Sequence, residues 1–179
     1  MEGGSNNADF LRQFYIRIKD NKSYNKHFFT SNQTRWVSIY ECKMEGIKFG
    51  ISEFGTWVFT TNKRFYCLDK RNALYCVRIL EVPYKDIIEA IQKRFKKIFD
   101  DSINVMDVFP FYEIVEFALN NMKNDYWFNL AMLWYEGFNA EQQSKLIYAL
   151  SQIEYSMQFS QKNRQYARKE IRRLEKQNI

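Results

Sequence analysis

A chain of 179 residues with 46% hydrophobic and 27% charged residues is long enough to bury a core, which excludes the disordered and low-complexity classes. Lys and Arg outnumber Asp and Glu by 27 to 21, for a net charge of +6. Aromatic residues make up 18% of the chain, and two explanations are open. One is ring surface at a binding face, and the other is the codon usage of an AT-rich genome.

Targeting and membrane signals are weak. The opening MEGGSNNADF has no basic segment followed by an apolar stretch, so no secretory signal is predicted. The longest apolar candidate, WFNLAMLWY, is much shorter than the roughly 18 residues of a membrane span. Cys42, Cys67 and Cys76 show no CxxC spacing and indicate reduced thiols. A cytoplasmic protein without a membrane span is therefore expected.

The N-terminal part predicts a leader, a helix and a sheet. Residues 1–8 are expected to be a disordered leader, and apolar residues at helical spacing from Asp9 onward predict an amphipathic helix. Residues 20–34 are polar and predict a connection. Alternating and β-branched runs then predict about five antiparallel strands in RWVSIYEC, GIKFGIS, TWVFT, RFYCLD and LYCVRILEV.

Pro83 marks the change from strands to helices, because proline suits the first turn of a helix. Apolar residues from Ile87 to Phe99 lie on one face of the helix that follows. Four further helices are predicted: one after Pro110, one over about 125–136 that stops at Gly137, one opened by Asn139 with Gln142 as capping partner, and one over about 162–177.

These elements predict an α+β fold. An N-terminal helix and an antiparallel sheet of about five strands occupy residues 9–83. The helices of residues 84–179 follow, four to five in number. The similar lengths of 110–137 and 140–177 predict antiparallel helical hairpins. We expect the helical part to pack with the sheet as one continuous unit.

Residues 54–87, FGTWVFTTNKRFYCLDKRNALYCVRILEVPYKDI, contain a strand, a TxKR turn into an aromatic strand, and a proline followed by an xxDI segment. This order resembles the bacterial pleckstrin-homology and GRAM group. The matching residues are Thr61, Lys63, Arg64, Phe65, Tyr66, Pro83, Asp86 and Ile87. The chain departs from that pattern where a long helix replaces the final strands. The tail NRQYARKEIRRLEK is similar to the second helix of a HEAT-type repeat. Both resemblances imply a binding scaffold without chemistry of its own.

Motifs for catalysis or cofactor binding are few. His27 is the single histidine, and the chain has no GxxxxGK[ST] or GxGxxG phosphate loop. A dyad of Cys76 and His27 is geometrically open, but a buried structural thiol is the commoner role of such a cysteine. No cysteine pair has the spacing of metal ligands. We therefore predict no catalytic residue, no metal and no cofactor, and we expect the protein not to be an enzyme.

Positive charge is concentrated in the last predicted helix, where residues 161–177 hold seven Lys and Arg against two Glu. Ala167, Ile171 and Leu174 lie opposite most of these cations, so the helix can dock and present charge outward. Arg168, Arg172 and Lys176, four residues apart, predict an outward ridge. The predicted macromolecule-binding residues are Arg164, Arg168, Lys169, Arg172, Arg173 and Lys176, with Trp57 and Tyr66 of the sheet.

Four interpretations of this basic helix are open: a solvated face that keeps the chain soluble, an interface with an acidic protein, a face that binds nucleic-acid phosphates, and a face that binds an anionic membrane surface. We favour a non-enzymatic intracellular interaction protein that binds another macromolecule, foremost a protein and in particular an acidic one. Its role would be of the immunity, inhibitor or adaptor type. The alternative is an RNA- or DNA-binding protein that uses the basic C-terminal helix, and a homo-oligomer is also compatible with the sequence.

Overall fold

The computed structural model describes residues 3–19, 24, 27–42, 46–97 and 104–177. It confirms the α+β class: an N-terminal helix, a five-stranded antiparallel sheet and then several helices. The strands are β1 (Phe28–Ser31), β2 (Thr34–Cys42), β3 (Ile47–Ser52), β4 (Trp57–Thr61) and β5 (Arg64–Cys67). The helices are α1 (Gly3–Lys19), α2 (Tyr84–Lys96), α3 (Val105–Val108), α4 (Phe111–Asn121), α5 (Asp125–Tyr135), α6 (Ala140–Ser144), α7 (Ile147–Tyr155) and α8 (Gln161–Gln177).

The sheet is a meander in which every strand pairs with its neighbour in sequence, in the order β1-β2-β3-β4-β5. The turns at Asn32–Gln33 and Asn62–Lys63 have positive φ at both residues, as type I′ hairpin turns require. Gly50 in β3 leaves room for the ring of Trp36 in β2, because a Cβ there would lie 2.5 Å from Cε3. Phe49, Ile51 and Phe59 lie on the other face of the sheet and are fully buried.

One predicted strand is wrong and another was missed, although the count of five is correct. The run LYCVRILEV forms two short 3-10 helices, Ala73–Tyr75 and Val77–Glu81. The Asp69 side chain accepts hydrogen bonds from the backbone N–H groups of Arg71 and Asn72, which turns the chain before this run. The missing strand is β1, within the segment 20–34 that was predicted as a connection.

Helix α1 begins at Gly3, six residues before the start predicted near Asp9. Asn7 Nδ2 donates a hydrogen bond to the Asp107 carbonyl oxygen at 2.7 Å. Gly55, with φ of 76°, allows close approach of the α1 backbone, since a Cβ there would meet the Ala8 carbonyl oxygen. Tertiary contacts thus order a polar segment whose sequence shows no helical periodicity.

The chain divides into two compact units, Met1–Cys76 with Lys85–Pro110 and Val77–Tyr84 with Phe111–Ile179. The predicted boundary at residues 83/84 assigned all of α2 to the helical part. From Lys85 onward α2 instead belongs to the first unit, because its buried face packs on α1: the ring of Phe95 meets that of Phe14 edge-on at 4.5 Å. The predicted apolar residues Ile98 and Phe99 lie outside the described residues. Packing of both parts as one continuous unit stays a prediction.

In the second unit, α4 packs on α5 and α7 packs on α8, which are the two predicted helical hairpins. The capping box is confirmed: Asn139 Oδ1 accepts from the Gln142 N–H at 2.9 Å, and Gln142 Oε1 accepts from the Asn139 N–H at 3.2 Å. The helix that it opens is short, however, and a separate α7 follows. Gly137 lies against Tyr84, whose ring carbons would be 2.7 Å from a Cβ at this position.

Replacement of Phe95 by Ala tests the core of the first unit. Phe95 is buried by α1, so Phe95→Ala should lower the free energy of unfolding by about 3–5 kcal/mol. Phe54→Ala is the matched control, since Phe54 is exposed. Urea unfolding followed by circular dichroism measures both. A Phe95→Ala midpoint equal to that of the control would contradict the packing of α2 on α1.

The thiols provide a second test. Cys67 is exposed, whereas Cys42 and Cys76 are buried, and all three are free. In native protein one thiol should react rapidly with Ellman's reagent, and all three should react after denaturation. Mass spectrometry of non-reduced protein should show no mass loss from a disulfide. Rapid reaction of more than one thiol in the native state would contradict the burial of Cys42 or Cys76.

Candidate interaction surfaces

Helix α8 is attached to the second unit through a narrow buried stripe. Ala167, Ile171 and Leu174 are buried as predicted, and Asn163 joins them one turn before Ala167. Asn163 Nδ2 donates to Asp125 Oδ1 at 2.7 Å, and the Ser160 N–H donates to the same oxygen at 3.0 Å. The hydrogen bond from Ser160, with that from Asn163, lowers the pKa of Asp125. The start of α8 is therefore tied to the start of α5.

Arg173 lies on one flank of this stripe and is part of a polar cluster. Its Nε donates to Glu170 Oε2 at 2.9 Å, and its Nη2 donates to Gln143 Oε1 at 2.8 Å and to the Tyr135 hydroxyl at 3.3 Å. Gln143 Nε2 in turn donates to the Tyr135 carbonyl oxygen at 3.1 Å. Burial raises the pKa of Tyr135 to about 12, so the hydroxyl stays neutral near pH 7. Arg173 thus connects α8 to α5 and α6.

Arg168 and Arg164 lie on the other flank, towards α7. Arg168 Nε donates to Glu154 Oε1 at 2.7 Å, and the Glu154 side chain is largely buried. Arg164 Nη1 lies 3.2 Å from the Met157 sulfur. Arg168 therefore forms an ion pair within the hairpin, but half of its side chain stays exposed, and it lines a groove together with Arg172 and Lys176 of the predicted ridge.

The remaining cations of α8 share its outer face. We call them the basic ridge: Lys162, Lys169, Arg172 and Lys176. Their side chains are exposed and form no ion pair with another residue that the structure describes. Positions 162 and 176 are about 21 Å apart along the helix axis. The ridge thus presents four positive charges in a row that form no ion pair with a described residue.

Exposed apolar side chains lie on the neighbouring helix α7 and two residues after its end. We call Tyr148, Tyr155 and Met157 the tyrosine stripe, and these side chains are 71%, 77% and 82% exposed. Tyr148 and Tyr155 lie two turns apart on α7, opposite the buried residues Leu150 and Ile153. This stripe was not predicted from the sequence, although the seven-residue spacing of its two tyrosines places them opposite the predicted core face.

The two predicted binding residues of the sheet differ in their exposure to solvent. Trp57 is buried, and its Nε1 donates to the Val108 carbonyl oxygen at 2.6 Å. Its ring meets Phe109 edge-on at 4.8 Å, so Trp57 serves the core of the first unit and offers no free ring face. Tyr66 is half-exposed, and it stacks between Phe59 at 5.2 Å and Tyr75 at 4.6 Å.

Tyr66 lines a groove of about 540 Å³ in the first unit. The groove is bordered by Ser31 and Asn32 of the β1–β2 turn, by residues 63–66 and by Tyr75, and we call it the aromatic-basic groove. Lys63 and Arg64 are exposed there and form no ion pair with a described residue. Basic and aromatic side chains therefore share one concave surface.

Cys76 has the surroundings of the buried structural thiol that the sequence favoured over a dyad with His27. This thiol is fully buried, and it donates a weak hydrogen bond to the Ala73 carbonyl oxygen at 3.5 Å. Burial raises the pKa of Cys76 well above its usual range, which disfavours the thiolate that a nucleophile requires. Within the described ranges, no group of three or more His, Cys, Asp and Glu side chains is placed to hold a metal ion.

Comparisons with family models, with curated proteins and with solved structures find no match to this chain. None of the helices formed by the described residues combines the length and the hydrophobicity that crossing a membrane requires.

Adjacent arginines of α8 provide a matched test of the polar cluster. Arg173→Ala should lower the free energy of unfolding by about 1–2 kcal/mol, because Glu170 and Tyr135 lose a charged partner that is partly screened by solvent. Arg172→Ala should change it by less than about 0.5 kcal/mol. Chemical denaturation of both variants gives the comparison, and equal losses would contradict the assignment of Arg173 to the cluster.

Proposed function

We propose that the protein is a non-enzymatic, cytoplasmic interaction protein that binds another protein through the outer surface of the α7–α8 hairpin. One observation carries the proposal: Arg168 and Arg173 are paired within the unit, whereas the four cations of the basic ridge on the same helix have no anionic partner among the described residues. An acidic partner surface would supply the missing countercharges.

The division of charges on α8 supports an interface. Like charges along one face repel each other, so the basic ridge contributes little to the fold and requires another explanation. Guanidinium and ammonium groups at the rim of a contact raise association rates and select acidic partners. Keeping the chain soluble would explain the charge as well, but it does not explain exposed rings on the neighbouring helix.

The tyrosine stripe supplies the apolar component that a protein interface needs. Tyr, Met and Arg are enriched in such interfaces, and each tyrosine ring adds large contact area with few rotatable bonds. The Arg168–Glu154 ion pair connects α7 to α8, so the helix with the stripe is joined directly to the helix with the ridge. Immunity, inhibitor and adaptor roles need a recognition surface of this kind and no catalytic groups.

The resemblance of residues 54–87 to the pleckstrin-homology and GRAM group remains part of the proposal, as does the HEAT-like tail. The antiparallel meander and the helix after Pro83 are compatible with a binding scaffold. RNA or DNA binding by the basic ridge is the competing function, because phosphates would also neutralise its four cations. Salt dependence and nuclease treatment separate the two functions.

The test is capture of partners by three tagged proteins from extract of the source cell, with and without nuclease. The ridge variant carries Lys169→Glu, Arg172→Glu and Lys176→Glu. The control variant carries Lys93→Glu, Lys96→Glu and Lys97→Glu, which makes the same change in net charge on exposed lysines of the first unit. Wild type and control should retain a protein partner after nuclease treatment, and the ridge variant should lose it by at least about tenfold.

Equal recovery from all three proteins would contradict the proposal. Recovery that disappears with nuclease would favour the competing function. In that case, affinity for a labelled RNA or DNA oligomer should fall about a hundredfold between 50 and 200 mM salt if four cations contact phosphates. A purified protein partner held partly by apolar contacts should show a much weaker salt dependence.

A further inference from the structure

The aromatic-basic groove contains a stack of three rings. Phe59 is fully buried and forms the inner end, Tyr66 lies on it with an interplanar angle of 20°, and Tyr75 lies on Tyr66 with the same angle. Tyr75 is 47% exposed and lines the groove. A planar group entering the groove can therefore extend a stack that already exists, without reorganisation of the rings.

The outer ring is held in place by its own short segment. Tyr75 ends the first 3-10 helix, whose Ala73 is fully buried. Asp69 fixes the turn before that helix, because its carboxylate accepts from the N–H groups of Arg71 at 2.8 Å and of Asn72 at 2.9 Å. The fold thus fixes the exposed position of Tyr75, so that little conformational entropy is lost when a ligand binds to its ring.

The charges of the groove are positive. Lys63 is the second residue of the tight turn, Arg64 is the first residue of β5, and both side chains are exposed. None of the described residues that line the groove is acidic, and the neighbouring Asp69 carboxylate accepts hydrogen bonds from backbone N–H groups. Asn32 adds an amide that can both donate and accept hydrogen bonds. A guanidinium and an ammonium group beside exposed rings favour a ligand that combines an aromatic ring with a phosphate.

We propose that this groove binds a nucleotide unit, with the base stacked on Tyr75 and the phosphate held by Lys63 and Arg64. Its volume of about 540 Å³ lies within the usual range of small-molecule sites. A free mononucleotide and single-stranded nucleic acid offer the same chemistry, since each presents a base face and a phosphate. The site lies in the first unit and is independent of the function proposed for the hairpin of the second.

The experiment uses three probes: AMP, a fluorescein-labelled ten-nucleotide oligouridine and inorganic phosphate. Calorimetry follows AMP and phosphate, and fluorescence anisotropy follows the oligomer. Tyr75→Ala should weaken binding of the nucleotide probes about 5- to 150-fold, the range that loss of one stacked base gives. Tyr75→Phe retains the ring and should bind as wild type does. Leu74→Ala is the matched control, because Leu74 is 48% exposed in the same turn and should leave binding unchanged.

Loss of the phosphate contacts is tested separately. The double variant Lys63→Ala with Arg64→Ala should weaken nucleotide binding at least about tenfold. Lys93→Ala with Lys96→Ala, which removes the same charge elsewhere in the first unit, should have a much smaller effect. Binding of both nucleotide probes, or of either one alone, supports the proposal and identifies the source as free nucleotide, nucleic acid strand or both.

Four results would overturn the proposal. The first is that wild type binds neither of the two nucleotide probes, and the second is that Tyr75→Ala binds them as tightly as wild type does. The third is that inorganic phosphate binds as tightly as AMP. The fourth is that only the ridge variant loses binding. The last result would place nucleic-acid binding on α8 instead. Circular dichroism of Tyr75→Ala and Leu74→Ala should give the same unfolding midpoint, so that lost binding reports the ring and not the fold.

Discussion

The contacts that attach α8 to its unit determine which of its cations face outward. A helix this polar offers only a narrow apolar stripe, Ala167, Ile171 and Leu174, for burial against the rest of the unit. A stripe of this width leaves some freedom of rotation, and polar contacts on the two flanks remove it. Arg168 is held by Glu154 on the side of α7, and Arg173 by the cluster of α5 and α6. The four cations of the basic ridge are outward because these contacts fix the helix about its axis.

The seven cations of α8 therefore have different physical roles, although they look equivalent in the sequence. Arg168 and Arg173 hold the helix in place, while the basic ridge has no such role among the described contacts. The aromatic residues of the first unit likewise have different physical roles. Trp57 fills the core and satisfies its N–H with Val108, whereas Tyr75 extends a ring stack into a groove. In both units, the side chains that we propose for recognition occur beside residues of similar type that have structural roles.

Elements with one-sided burial were predictable from the sequence, since their periodicity is a direct consequence of packing. The apolar faces of α4 and α8 and the capping box at Asn139 are examples. The run LYCVRILEV was wrongly predicted as a strand, because its β-branched residues are compatible with a strand and with a buried turn. The turn stabilised by Asp69 favours the two 3-10 helices that the structure shows. The pairing of Arg168 and Arg173 was not predictable. The exception is the Glu170–Arg173 pair, which has the i,i+3 spacing of neighbours on one helix. Glu154 lies 14 residues from Arg168, and Gln143 and Tyr135 lie 30 and 38 residues from Arg173, so these contacts exist only after the helices have packed.

Lysine footprinting of the captured complex measures most directly whether the basic ridge is an interface. The protein is treated with an acetylating reagent, free and in complex with its partner, and modification is quantified by mass spectrometry for each lysine. The account predicts that Lys162, Lys169 and Lys176 react readily in the free protein and become protected in the complex. Lys93, Lys96 and Lys97, equally exposed on α2 and just after it, should react to the same extent in both states. Unchanged reactivity of the three ridge lysines in a complex that stays intact would contradict the account.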